Sequence, residues 1–136
     1  MPFVLDASIA ACWAFDDEDH PVGALALDRV REDEAVVPAP WWFEVRNLLI
    51  VNERRGRITE RDTAAFLRGL SRLGLVIDRS PDEGVVLALA RKHRLTVYDA
   101  SYLELSLREG LPLATLDGDL VRAARAEGQV VLGAVP

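Results

Sequence analysis

The 136-residue chain holds one cysteine, Cys12, two histidines, His20 and His93, and a single lysine, Lys92. One cysteine cannot close an internal disulfide, and there is no Cys/His set for a structural zinc. Cys12 is expected in the core, because free cysteine is among the most buried residue types. His20 falls in a polar loop and His93 at the basic end of a helical run, neither beside a plausible nucleophile, which excludes thiolate and serine-triad chemistry. No apolar run reaches the length of a membrane span. The N-terminus, MPFVLDAS, lacks a basic segment followed by a long apolar stretch, so no secretory signal and a cytoplasmic protein are expected. Positive charge is also short. A net charge of −6 excludes a simple electrostatic sleeve for nucleic acid, though not a local basic patch.

What remains is a globular balance of 50% hydrophobic and 28% charged residues, at a length that closes one core, so a single domain over 1–136 is expected. PFVLD reads as a short buried strand ending at Asp6, followed by a helix through IAACWAF with Ser8 as its cap. DDEDHP is a polar loop. Helical spacing runs from Val22 to Val30, and EAVVPAP is a second strand closed by two prolines. Trp41 to Arg55 is a long helix stopped by Gly56, and RITERDTAAFLRGLSRLG another, from Thr59 to Gly74. LVIDRSP is a strand, DEGVVLALARKHR and TVYDASYLELSLREG are helices, LPLAT is a strand, Gly118 to Glu127 a helix and QVVLGAV a final strand. Apolar strands without period-two alternation, interleaved with helices, describe a mainly parallel sheet covered on both faces, an α/β three-layer α/β/α sandwich. Ligands in such sheets bind beyond the carboxyl ends of the strands.

Four carboxylates share that placement. Asp6 follows the first strand, Glu44 lies at the start of the helix after the second, Asp99 opens the helix at TVYDASY, and Asp117 follows LPLAT. Each has a structural alternative: Asp6 turns the chain, Asp99 completes a capping box with Thr96, Glu44 complements a helix dipole and Asp117 caps a helix. Packing several carboxylates together without a cation is costly, since like charges raise one another's pKa. A divalent metal removes the conflict, and oxygen-only ligands suit Mg²⁺ or Mn²⁺. An EF-hand calcium loop does not fit DGDL, because Val121 and Arg122 stand where that loop needs an oxygen ligand and a glycine.

VLDAS (Val4 to Ser8), PWWFEVRN (Pro40 to Asn47), LTVYDASYLELS (Leu95 to Ser106) and LATLDGDL (Leu113 to Leu120) resemble, in order and spacing, the four motifs of PIN-domain nucleases. The likeness spans essentially the whole chain, and is nearest to the VapC-type toxins of type II toxin–antitoxin modules. It implies a PIN-like fold and a metal-dependent endoribonuclease that leaves 5′-phosphate and 3′-hydroxyl ends. It further implies Mg²⁺ or Mn²⁺ as cofactor, an RNA substrate, a cognate antitoxin as partner and a homodimer. Carried over by position, Asp6, Glu44, Asp99 and Asp117 are the acidic quartet that holds the metal. Asp119 is a fifth acid of lower rank, and Ser8 and Thr115 match the hydroxyls of the first and last motifs. Asn47, three residues after Glu44 and so on the same helix face, is placed to orient a carboxylate or touch the scissile phosphate.

Two groups of basic residues, Arg46, Arg54, Arg55, Arg57 and Arg61, then Arg91, Lys92 and Arg94, read equally as RNA contacts or as solvated helix ends. Trp13, Trp41, Trp42 and Phe43 are expected mainly in the core, with one or two lining a groove for an antitoxin helix. A phospho-accepting receiver domain shares the size and sheet type, but expects paired acids after the first strand and a lysine after a late one. This chain has LDAS and a lysine inside a helix. The alternative that stays open is a non-catalytic PIN-like module that binds RNA or protein without cutting.

Overall fold

The computed structural model describes residues 1–15 and 20–133. The four acids of the expected polar loop and the last residues of the expected final strand lie outside the described residues.

In chain order the elements are β1 (Phe3–Leu5), α1 (Ala7–Ala14), α2 (Pro21–Val30), β2 (Ala35–Pro38), α3 (Pro40–Arg54) and α4 (Glu60–Ser71), then β3 (Val76–Asp78), α5 (Glu83–His93), α6 (Val97–Glu109), β4 (Leu113–Ala114) and α7 (Gly118–Ala126). The strands form one sheet in the order β3-β2-β1-β4, and every pair is parallel. All their carboxyl ends therefore open on the same edge. The three-layer α/β/α reading of the sequence holds.

Local chemistry explains most boundaries. Proline has no N–H to lose at the first helical position, so Pro40 begins α3 directly after β2 closes at Pro38, one residue before the start expected at Trp41. Thr59 and Asp62 form a reciprocal capping box at α4. Asp82, Thr96 and Asp117 cap α5, α6 and α7. Gly110, at φ 65°, ends α6 in the left-handed conformation that glycine tolerates best. At α1 the expectation fails: Asp6, not Ser8, is the N-cap residue, and no side chain caps this helix. The Ser8 hydroxyl instead donates to Asp6 Oδ2 at 2.7 Å.

Among the described residues the final strand is reduced to a single parallel bridge between Leu113 and Val131. Leu113 N–H donates to Val130 and Leu132 N–H to Leu113, both at 2.9 Å. β4 is only two residues long and offers little to pair with, and Gly133, at φ 73°, turns the chain immediately afterwards.

The core centres on Phe3, Val4, Leu5, Val37, Leu49, Leu103, Leu105, Leu113 and Leu120, all buried. Helix α6 is buried continuously from Ala100 to Ser106, the pattern of a helix covered on all sides. That burial takes Glu104 with it, at 1% exposure, where its carboxylate accepts from Arg108 Nε at 2.6 Å and from Asp82 N–H at 3.1 Å. Arg108 also reaches Asp78 at 2.6 Å, so one guanidinium ties α6 to the end of β3. Cys12 departs from expectation. It is half-buried on α1, where α2 packs so closely that a Cβ on Gly23 would stand 2.7 Å from Cys12 Cβ. Of Trp13, Trp41, Trp42 and Phe43, Trp41 alone is in the core; Trp13 is half-buried, while Trp42 and Phe43 are exposed. Among the described residues no helix is long and apolar enough to cross a membrane.

Candidate active site

Parallel pairing of β1 with β4, with Leu5 opposite Ala114, delivers Asp6 and Thr115 side by side at the open edge of the sheet. Thr115 donates to Asp6 Oδ2 at 2.6 Å, joining Ser8 on the same oxygen. The Ser8 hydroxyl also accepts the N–H of Leu116 at 2.9 Å, and the Thr115 hydroxyl that of Asp117 at 3.0 Å. These two hydroxyls stitch the first and last motifs together and hold Asp6, which is only 4% exposed, in one orientation.

Glu44 comes from α3. Because that helix starts at Pro40, Glu44 lies beyond its first turn, which contains no acid, and the helix-dipole explanation for it weakens. Its Oε1 accepts a 2.9 Å hydrogen bond from the buried Tyr102 hydroxyl. Asp99 stands in the first turn of α6, its N–H donated to Thr96 Oγ1 at 3.1 Å. Asp117 is both cap and wall: Oδ1 accepts from Asp119 N–H at 2.9 Å and Leu120 N–H at 3.2 Å. The capping explanation for this residue is therefore correct as far as it goes.

All four acids line one open cavity of about 380 Å³, together with Ser8, Asn47 and Asn52 among its walls. Their mutual field is visible in their proton affinities. Asp6 is raised above the ordinary carboxylate range by burial and further by Asp117, against the two hydroxyl hydrogen bonds. Glu44 is raised by burial, then by Asp6 and Asp99, against the hydrogen bond from Tyr102. Asp99 is raised by burial, then by Asp117, Asp6 and, more weakly, Asp119.

The remaining candidates separate. Asn47 joins the cavity. Thr115 is buried behind Asp6 and acts on it from below. Asp119 is not part of the wall, being exposed and paired with Arg122 at 2.8 Å, which accounts for its lower rank. Asn52 went unnoticed in the sequence, although it lies eight residues after Glu44 on the same helix face. It is buried, donates to Leu48 O at 2.8 Å and accepts from Arg57 at 2.6 Å. Tyr102, three residues after Asp99, likewise carried no signal in the sequence that set it apart from a core aromatic. Three of the basic residues have defined partners: Arg57 serves Asn52 and covers the Phe15 ring, Arg46 lies over the Trp42 ring, and Lys92 pairs with Glu127 at 2.7 Å.

Among the described residues no three His, Cys, Asp or Glu side chains form a ready-made metal cage. The donor set still fits a hard divalent cation, which keeps several waters and takes one or two carboxylates plus substrate oxygens rather than a closed protein shell. Four acids around one cavity, three of them with proton affinity raised by burial and by charged neighbours, are what such a cation would relieve.

The PIN-domain family model matches residues 3–126. Ribonuclease VapC3 of Pyrobaculum aerophilum is 32% identical over 123 residues, covering 88% of this chain and 92% of that protein. Among solved structures, PAE2754 of the same organism superposes with a TM-score of 0.72 at 22% identity, covering 99% of this chain and 88% of its own. FitAcB of Neisseria gonorrhoeae does so with a TM-score of 0.62 at 15% identity, covering 96% of both chains.

Proposed function

The chain belongs to the PIN-domain family, in its VapC-type branch, and from that premise we propose that it is a metal-dependent endoribonuclease, the toxin of a toxin–antitoxin pair. The observation that carries the proposal is the cavity that Asp6, Glu44, Asp99 and Asp117 line together, with no basic side chain among the described residues of its wall. Those four residues would hold Mg²⁺ or Mn²⁺, which when bound supplies charge neutralisation at the phosphate and lowers the pKa of water.

The chain's own groups have distinct tasks. Ser8 and Thr115 keep Asp6 an acceptor facing the cavity, and Tyr102 does the same for one oxygen of Glu44. Asn47 presents an amide beside Glu44 to a phosphate oxygen. Asp99 and Asp117, each at a helix start, add charge from the opposite wall. Hydrolysis then adds water across the P–O bond, leaving a 5′-phosphate on one fragment and a 3′-hydroxyl on the other. The reading extends to a single cytoplasmic domain over 1–136 that forms a homodimer and is silenced by a cognate antitoxin.

The test is cleavage of mixed cellular RNA by purified, antitoxin-free protein with Mn²⁺ or Mg²⁺, with excess EDTA, and with Asp6→Asn. Discrete fragments lost in both controls support the proposal. Their absence from folded protein favours a PIN-like binding module, and cleavage that survives both controls belongs to a contaminant.

A further inference from the structure

Beside the acidic cavity lies a second, larger trough of about 560 Å³, walled by Ala39, Pro40, Phe43, Glu44, Asn47 and Tyr98. Glu44 and Asn47 belong to both hollows. Phe43 and Tyr98 each immediately precede an acid of the cavity, Glu44 and Asp99, and both rings are largely exposed, at 69% and 61%. Successive side chains on a helix are turned by about 100°, so each aromatic ring faces away from its neighbouring acid and toward the trough that both rings line.

The Phe43 ring is braced from behind. It meets Trp42 edge-to-face with centroids 4.9 Å apart, and the Arg46 guanidinium lies 3.9 Å from the centre of the Trp42 ring. Arg46 is anchored there by a 3.1 Å hydrogen bond to Trp42 O. The result is a platform ending in positive charge, on a chain whose net charge is −6.

We propose that the trough between Phe43 and Tyr98 is a subsite for one unpaired nucleobase of the RNA strand whose adjacent phosphate occupies the acidic cavity. The inference rests on the nuclease reading above and goes beyond it in assigning Phe43 and Tyr98 to the base. A nucleotide next to the scissile phosphate has to pass the wall that both hollows share, and the groups awaiting it are two aromatic faces and an amide. An acidic protein with a carboxylate-lined centre gains little from phosphate attraction, and stacking supplies affinity that charge does not. Stacking also requires a free base face, which an A-form duplex hides. The Asn47 amide is placed to meet the base edge or the phosphate, and Arg46 the strand beyond it.

The probe is a single-stranded RNA heptamer carrying 2-aminopurine, titrated in EDTA so that binding is read without cleavage, and compared with the same sequence in a duplex. The wild-type protein should quench the fluorophore and prefer the single strand. Phe43→Leu and Tyr98→Leu, both at exposed positions and checked for folding by circular dichroism, should each weaken binding by about tenfold and remove the quench. Asp6→Asn should keep the quench while losing cleavage, which separates this proposal from the nuclease reading. Unaltered heptamer binding in both leucine variants overturns the subsite even if the protein cuts RNA. So does equal affinity for the duplex. A change of oligomeric state in either variant, measured by light scattering with heptamer binding retained, overturns it in favour of a protein–protein surface.

Discussion

The Tyr102 hydroxyl donates a 2.9 Å hydrogen bond to Oε1 of Glu44, joining the buried helix α6 to the acid that α3 contributes to the cavity. Burial pushes the phenol far above its ordinary pKa, and the charges of Asp6 and Glu44 push it further, so it remains a donor at any working pH. Tyr102→Phe removes one oxygen and no packing volume. The expected outcome is a folded protein destabilised by about 1 kcal/mol, with Mn²⁺-dependent cleavage reduced roughly tenfold. Urea unfolding and initial rates measure the two. A rate unchanged at every Mn²⁺ concentration would remove Tyr102 from the positioning of Glu44.

The raised acids make stability depend on pH in a direction opposite to that of a salt-bridged carboxylate. Asp6, Glu44 and Asp99 bind their protons more tightly in the folded chain than in the unfolded one. Their contribution therefore favours the fold below the ordinary carboxylate range and is lost as pH rises through the raised values. Metal-free protein should melt higher near pH 5 than near pH 7.5, and Mn²⁺ should raise the melting temperature more at pH 7.5 than at pH 5. Differential scanning fluorimetry over that range gives both slopes. Equal Mn²⁺ effects at the two pH values would place the ion away from these acids.

Asp99→Asn tests the same balance at one position. Asp99 is only partly buried, so the change removes repulsion from Asp117 and Asp6 without opening a hole. The metal-free variant should melt about 2 °C or more above the wild type at neutral pH, while cleavage falls by at least a hundredfold. A variant less stable than wild type would mean that repulsion is not what its carboxylate chiefly contributes.

Thr115→Val keeps the shape of a buried side chain but withdraws the 2.6 Å hydrogen bond to Asp6 and the acceptor for Asp117 N–H. Loss of a bond to a charged group, plus a stranded N–H, should cost about 2 kcal/mol in urea unfolding. Cleavage should fall with it, and Thr115→Ser should restore most of both.

Far from the cavity, Arg108→Met leaves Glu104 buried with its principal counter-charge gone and frees Asp78. Breaking such a buried pair should cost about 3 kcal/mol. The specific cleavage rate of the fraction that remains folded should be unchanged, which distinguishes this strut from the residues of the site.

Residue order alone determined a good deal. Uninterrupted apolar strands such as FVL and AVVP cannot lie on a half-wet sheet, so helices had to cover both faces and the strands had to run parallel. Parallel strands place Asp6, Glu44 and Asp117 on one edge, which is why these acids were legible before any coordinates, whereas Asp99 opens α6, which follows α5 with no strand between them. Caps such as Thr59, Thr96 and Asp117 were legible for the same local reason. Tertiary packing decided the rest. Whether Ser8 capped a helix or clamped Asp6 depended on β4 arriving beside β1, a contact between residues more than a hundred positions apart. Tyr102 could be told from a core aromatic only once α3 brought Glu44 within reach of its hydroxyl. Cys12 lies half-buried on α1 rather than in the core, and among the described residues QVVLGAV pairs through one bridge with the two-residue β4. Periodicity and capping are properties of neighbours in the chain, whereas a hydrogen-bond partner across the sheet is set by how whole elements pack.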